Sequence, residues 1–222
     1  MFSNRSAAGV ALGRAVLKYD LRGALVVLGL PRGGVPVAYE VARALGAPLD
    51  VMVVRKVGAP GRQELAIGAI APGGILVREP SSGAGFSCSR EEFEALAERE
   101  QAELARRERV YRHDLPPLNL TNRTAILVDD GIATGCTMVA AVRAARRAGA
   151  GSTFVAVPVA SDSGLALVGV EANETLSLKI PANLSAVGEY YDNFEQVTDG
   201  QVLQLLAQAR HDPAPAHLQE AR

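Results

Sequence analysis

Short apolar runs alternate with amphipathic stretches along most of this chain. Val10, Ala11, Leu12, Ala15, Val16 and Leu17 recur at helical spacing and predict one face of an opening helix. The run ALVVLGL (24–30) has the length of a buried strand, and a helical pattern follows from Val35 to Leu45. LDVMVVRK (49–56) predicts a second strand. Gly58, Pro60 and Gly61 mark a loop, after which LAIGAIA and ILVRE read as strands divided by Pro72-Gly73-Gly74. Ser89-Arg90-Glu91-Glu92 has capping-box spacing, with Cys88 and Phe93 at staple positions, and opens a long charged helix to about Arg112. TAILVDD (124–130) predicts a strand, 137–149 a helix closed by glycine, and STFVAVPV (152–159) another strand. A short helix near 162–169, a strand TLSLKI (175–180), an irregular stretch to about Val197 and a helix near 198–209 follow. The end, HDPAPAHLQEAR (211–222), reads as a disordered tail.

Apolar strands alternating with helices imply an α/β fold, a parallel sheet with helices on both faces. At 222 residues the chain can bury one sizeable core, and one domain over 1–210 is expected. With 23 basic and 24 acidic side chains the net charge is −1, so no global field favours nucleic acid or an anionic membrane. The basic run RRERVYR (106–112) lies among glutamates and reads as a solvated helix face. The N-terminus resembles a targeting peptide at first glance, but its apolar patch Ala7–Leu12 is short and soon meets Arg14. No apolar run reaches membrane-spanning length, and Cys88 and Cys136 have no zinc or disulfide-framework spacing. A cytoplasmic protein with free thiols is expected. His113, His211 and His217 form no metal or triad pattern, and neither a P-loop nor a dinucleotide fingerprint is present. Cys136 and Arg143 lack the spacing of a cysteine phosphatase loop.

Three predicted strands end in unusual loops, where open parallel sheets bind ligands. In ILVDDGIATGCTM (126–138), an apolar strand ends in Asp129 and Asp130. Gly131, Ile132, Ala133, Thr134, Gly135, Cys136 and Thr137 then offer successive amides, two hydroxyls and a helix N-terminus, a combination that binds phosphate. The carboxylates would repel that phosphate if they faced it. They suit ligand hydroxyls instead, or a divalent cation held through water. Phosphate, hydroxyls and metal together describe a phosphorylated sugar; the bland alternative is a solvated acid pair beside a good helix cap. In LPRGGVP (30–36), Arg32, Gly33 and Gly34 offer a guanidinium and open amides to pyrophosphate, or form a plain turn. In VVRKVGAPGRQELAIG (53–68), Arg55 and Lys56 precede a punctuated loop; they are anion ligands or the ordinary cations of a solvated hairpin. Glu64 serves that loop or caps local structure.

The 126–138 stretch resembles the phosphoribosyl pyrophosphate (PRPP) signature of the type I phosphoribosyltransferases, with Cys136 at a position where a smaller or hydroxylated residue is commoner. The two other loops are similar to that family's pyrophosphate loop and mobile catalytic loop. The resemblance covers roughly residues 1–197 and implies a Rossmann-like parallel sheet with a small hood, here about 180–197. It implies transfer of ribose 5-phosphate from PRPP to a nitrogenous base, in nucleotide salvage, with Mg2+ and release of pyrophosphate. By position, Asp129 and Asp130 would take the ribose hydroxyls and reach the metal through water, and Gly131–Thr137 would take the 5-phosphate. Arg32, Gly33, Gly34, Arg55 and Lys56 would meet the pyrophosphate, with Arg32, Lys56, Asp129 and Asp130 as the catalytic set and Pro31–Arg32 a candidate cis peptide. A hood aromatic often stacks on the base in this family. Three of the chain's 5 Tyr and 5 Phe crowd into EYYDNF, so Tyr190, Tyr191, Asp192 or Asn193, and Phe194 are the base-side candidates, or the rings form the hood's small core. PRPP and a base are the expected partners, without nucleic acid or membrane, and a homodimer is common in the family. The alternative function is a PRPP- or nucleotide-sensing regulator that keeps the fold without turnover.

Overall fold

The computed structural model describes residues 1–78, 88–113 and 115–211, leaving aside the side chains of 62–65. Five strands make the expected parallel sheet: β1 (Ala24–Gly29), β2 (Leu49–Val51), β6 (Arg123–Val128), β7 (Ser152–Val159) and β8 (Glu174–Lys179), ordered β2-β1-β6-β7-β8. Side chains alternate across it. Val27, Ile126, Val128 and Phe154 enter one core with α1 (Arg5–Val16), α2 (Gly34–Leu45) and α6 (Asp199–His211). Val26, Leu28, Leu127 and Val155 enter a second core with α4 (Cys136–Arg147) and α5 (Asp162–Gly169). Both faces are covered, which is why β1, β6 and β7 read as apolar runs, while the edge strand β8 is only partly buried. The last helix runs through His211, and the rest of the predicted tail lies outside the described residues.

Two expectations are corrected. The stretch 49–56 is not one strand. It leaves the parallel sheet after Val51, passes through buried Met52, Val53 and Val54, and starts a separate antiparallel sheet. That sheet holds β3 (Arg55–Ala59), β4 (Arg62–Ala71) and β5 (Ile75–Arg78), with Ala59 opposite Arg62 across a tight turn. Continuous burial on both sides of a sheet bend looks the same in sequence as a long strand. The face of α1 is the second correction. Ala8, Gly9, Leu12, Gly13 and Val16 are buried, while Val10 and Leu17 are exposed. Small size selects this face: a Cβ on Gly9 would stand 2.7 Å from the Val37 carbonyl oxygen, and one on Gly13 would stand 2.8 Å from Ala44 Cβ. The helices α1 and α2 therefore touch almost backbone to backbone.

The capping box of α3 (Arg90–Arg112) forms as predicted: Ser89 Oγ accepts from the Glu92 amide at 3.1 Å, and Glu92 accepts from the Ser89 amide at 2.8 Å. Cys88 and Phe93, its staple pair, are buried in the same core. No described helix is long and apolar enough to cross a membrane, and Cys88 and Cys136 are buried and not joined in a disulfide.

Candidate functional site

The connections of the neighbouring strands β1 and β6 part at their carboxyl ends: β1 leads through α2 to β2 on one side, and β6 through α4 to β7 on the other. A sheet opens a crevice where its connections part in this way. A cavity of about 1180 Å3 lies there. It is lined by Asp129–Met138, by Val54–Gly61 with Arg99, Glu100 and Arg107 of α3, and by Ala186–Gly188 with Phe194.

The acid pair and the arginine–glycine loop are in intimate contact. A Cβ on Gly33 would lie 2.0 Å from Asp130 Oδ2, and one on Gly34 would lie 2.7 Å from the Val128 carbonyl oxygen and 2.9 Å from Asp129 Oδ1. Gly33 has an ordinary helical φ of −62°, so space rather than backbone conformation requires glycine there. The peptide between Pro31 and Arg32 is cis. Leu30 and Pro31 line the cavity, while Arg32 reaches the start of α6, its Nη1 3.9 Å from Asp199 Oδ1. Asp199 Oδ1 also accepts from the buried Tyr111 hydroxyl at 2.5 Å. Burial and this bond hold the Tyr111 hydroxyl up at about 12.

Asp129 accepts from the Asp130 amide at 2.8 Å. Loss of hydration, and then the charge of Asp130, push its carboxyl well above the usual range, against the pull of that amide and of Lys56. Asp130 is compensated differently: Arg5 Nε donates to its Oδ2 at 2.8 Å. The loop Gly131–Gly135 leads to the N-terminus of α4, which no side chain caps and which has no acidic residue in its first turn. Such a helix start leaves amides and dipole available to an anion. Gly135 adopts φ 91°, and a Cβ there would meet the Gly164 carbonyl oxygen of α5 at 2.7 Å. Thr134 is exposed, Thr137 half-buried and Cys136 buried.

The third loop is a hairpin, with Arg55 and Lys56 opening β3 rather than ending a strand. Lys56 is exposed on the cavity wall. Arg55 is engaged by Glu100, with bonds of 2.6 and 3.0 Å. The side chain of Glu64 lies outside the described residues. The basic run of α3 is not simply a solvated face. Arg107, paired with Glu103 at 2.8 Å, reaches the cavity, and Arg112 pairs with Asp50 at 3.0 Å.

Of the hood candidates, Phe194 lines the cavity. Tyr191 is buried beneath it, ring centroids 5.0 Å apart, and its hydroxyl donates to the Asp130 carbonyl oxygen at 2.6 Å. Tyr190 packs against the Ala8–Val159–Tyr191 cluster, and Asp192 and Asn193 donate backbone bonds to Phe2 and Ser3. Beside Phe194, this part of the cavity surface comes from Ala186, Val187 and Gly188, residues without chemistry a sequence could advertise. Sequence reasoning also missed Arg5, Arg99 and Arg107. Helical spacing places Arg99 and Arg107 about two turns apart on one side of α3, but only the hairpin's position tells which side matters.

Fold and cleft define a parallel α/β protein with a switch-point site joining an acid pair to an uncapped helix start. The chain belongs to the phosphoribosyl transferase domain family, whose model matches residues 13–192. Proteins from Mycobacterium tuberculosis strains CDC 1551 and H37Rv, each named "Putative phosphoribosyl transferase", are 43% identical over 216 residues. That alignment takes in 97% of this chain and 48% of theirs, so the chain spans about half the length of the curated relatives it matches. The crystal structure of TT1426 from Thermus thermophilus is 41% identical, covering 93% of this chain and 98% of that one, with a TM-score of 0.75.

Proposed function

We propose that this protein transfers 5-phosphoribosyl from PRPP to a nitrogenous base and releases pyrophosphate. One observation carries the reading: Asp129 and Asp130 line the cavity one short loop before the uncapped start of α4. A sugar phosphate fits that pair of features with its 5-phosphate on the amides of Gly131–Thr137 and its hydroxyls on the carboxylates. Lys56, exposed on the cavity lining, is the best-placed cation for the pyrophosphate, and Arg99 and Arg107 line the same cavity. Arg32 joins them on leaving Asp199, a contact of only 3.9 Å.

The reaction breaks the bond from the anomeric carbon to pyrophosphate oxygen, whose electron pair departs with the leaving group. The acceptor nitrogen's lone pair forms the new bond through an oxocarbenium-like state, and its proton passes to solvent. The protein needs no covalent nucleophile: it orients the sugar and stabilises charge growing on pyrophosphate. No group of three or more metal-ligating side chains occurs among the described residues. The acid pair therefore fits a magnesium ion that arrives on PRPP, since magnesium keeps most of its ligands as water and phosphate oxygens. Bound there, the metal would neutralise pyrophosphate. The buried Cys88 and Cys136, not joined in a disulfide, fit a reducing compartment, and base salvage is the matching role.

The test is release of pyrophosphate from PRPP with magnesium across a panel of purine and pyrimidine bases. At least one base should drive release, with Asp130→Asn lowering kcat/KM about a hundredfold or more. PRPP binding without release for any base would contradict transfer and favour a sensing role.

A further inference from the structure

Arg5 lies outside the stretch matched to the family, near the start of the chain, yet its guanidinium ends at the acid pair. Its Nε donates to Asp130 Oδ2 at 2.8 Å, and its Nη1 donates to the Glu195 carbonyl oxygen at 2.7 Å. Its guanidinium carbon lies 3.8 Å from the centroid of the Phe194 ring. The side chains of Arg5 and Asp130 are only 11% and 16% exposed, so the pair is largely withdrawn from water. A guanidinium that donates in two directions while stacked on a ring has little freedom, unlike a flexible ammonium.

The surroundings fix Asp130 from every side. Gly33 leaves room for Oδ2, and the Tyr191 hydroxyl holds the carbonyl of Asp130 at 2.6 Å. The N-terminal strap is itself pinned to the hood: the Phe2 amide donates to the Tyr190 carbonyl at 2.8 Å, and the Asp192 amide donates to the Phe2 carbonyl at 2.8 Å. Asp130 and Phe194 line the cavity, whereas Arg5 stands behind them.

We infer that Arg5 is a positioning residue: it locks the Asp130 carboxylate in the orientation that receives a sugar hydroxyl, and it fixes Phe194 as part of the same unit. The inference rests on the proposed phosphoribosyl site. Arg5 touches neither ligand. It occupies Oδ2 and covers one face of Phe194, so the sugar-binding carboxylate and the hood wall are held by one side chain. Losing it frees the carboxylate to rotate, so hydroxyl recognition weakens while the amides of Gly131–Thr137 still hold phosphate.

The test compares ribose 5-phosphate with 2-deoxyribose 5-phosphate by calorimetry on the full chain, for wild type, Arg5→Ala and Arg5→Lys. Wild type should prefer the ribose compound by about tenfold, the worth of one hydrogen bond to a charged acceptor. Arg5→Ala should bring the ratio close to one by weakening ribose 5-phosphate, with 2-deoxyribose 5-phosphate bound as before. Arg5→Lys should fall between. Equal weakening of both sugars in Arg5→Ala, as a merely structural residue would give, overturns the inference, as does a ratio unchanged from wild type. If Arg5→Ala does not fold, Phe194→Leu supplies the decision: a reduced ratio supports the coupling and a wild-type ratio overturns it. Wild type binding neither sugar overturns the phosphoribosyl site itself, and the role of Arg5 with it.

Discussion

The acid pair carries two carboxylates whose environments differ sharply. Asp130 faces the Arg5 guanidinium at 2.8 Å, whereas Asp129 is half-buried, poorly hydrated and beside the charge of its neighbour. Because the Asp129 carboxyl is raised in the folded state, folding favours its protonated form. Its contribution to stability is therefore greatest below the unfolded carboxylate value near 3.9, and it declines as pH rises through the folded value. Asp129→Asn keeps an oxygen to accept from the Asp130 amide and removes the charge. In the ligand-free protein the variant should melt higher than wild type at pH 7, with the gap closing as pH falls towards 4; thermal unfolding across pH measures it. A variant less stable than wild type at pH 7 would contradict this view of the pair. The acid pair and the small-residue loop were legible in the sequence because their chemistry is local. Their supports were not: Arg5 and Asp130 are 125 residues apart, and only the folded chain brings them together.

At the scale of elements, most strands and helices followed from apolar periodicity and from caps such as Ser89–Glu92. The misread elements share one cause: the deciding partner was distant. The stretch 49–56 is buried almost throughout, so periodicity could not reveal the change of sheet after Val51. The α1 face is chosen by its fit to α2, where glycine counts for more than valine. Gly9→Ala tests that fit. Alanine gains about 1 kcal/mol of helix propensity, but its Cβ would meet the Val37 carbonyl oxygen at 2.7 Å and Glu40 Cβ at 2.9 Å. Overpacking costs about 1–3 kcal/mol. With backbone as the obstacle, the clash should win. Denaturant unfolding of Gly9→Ala should show a net loss of up to about 2 kcal/mol, and a gain would mean that α1 and α2 separate freely.

Across the whole molecule the net charge of −1 conceals a sorted cavity. Lys56, Arg99 and Arg107 stand on the wall formed by the hairpin and α3, and Asp129 and Asp130 stand on the wall formed by β6 and its loop. A ligand with an anionic leaving group at one end and a polyol at the other matches this division, and composition alone could not disclose it. Beside the cavity, residues far apart in the chain pack together, Phe2 and Arg5 meeting Tyr191 and Phe194. The central claim is that this division binds PRPP. Calorimetric titration of PRPP with magnesium into wild type and into Asp129→Asn/Asp130→Asn tests it most directly. Saturable binding by wild type, weakened at least about a hundredfold in the double variant, is the expected result. Equal affinity in both folded proteins, or no binding to either, would contradict it.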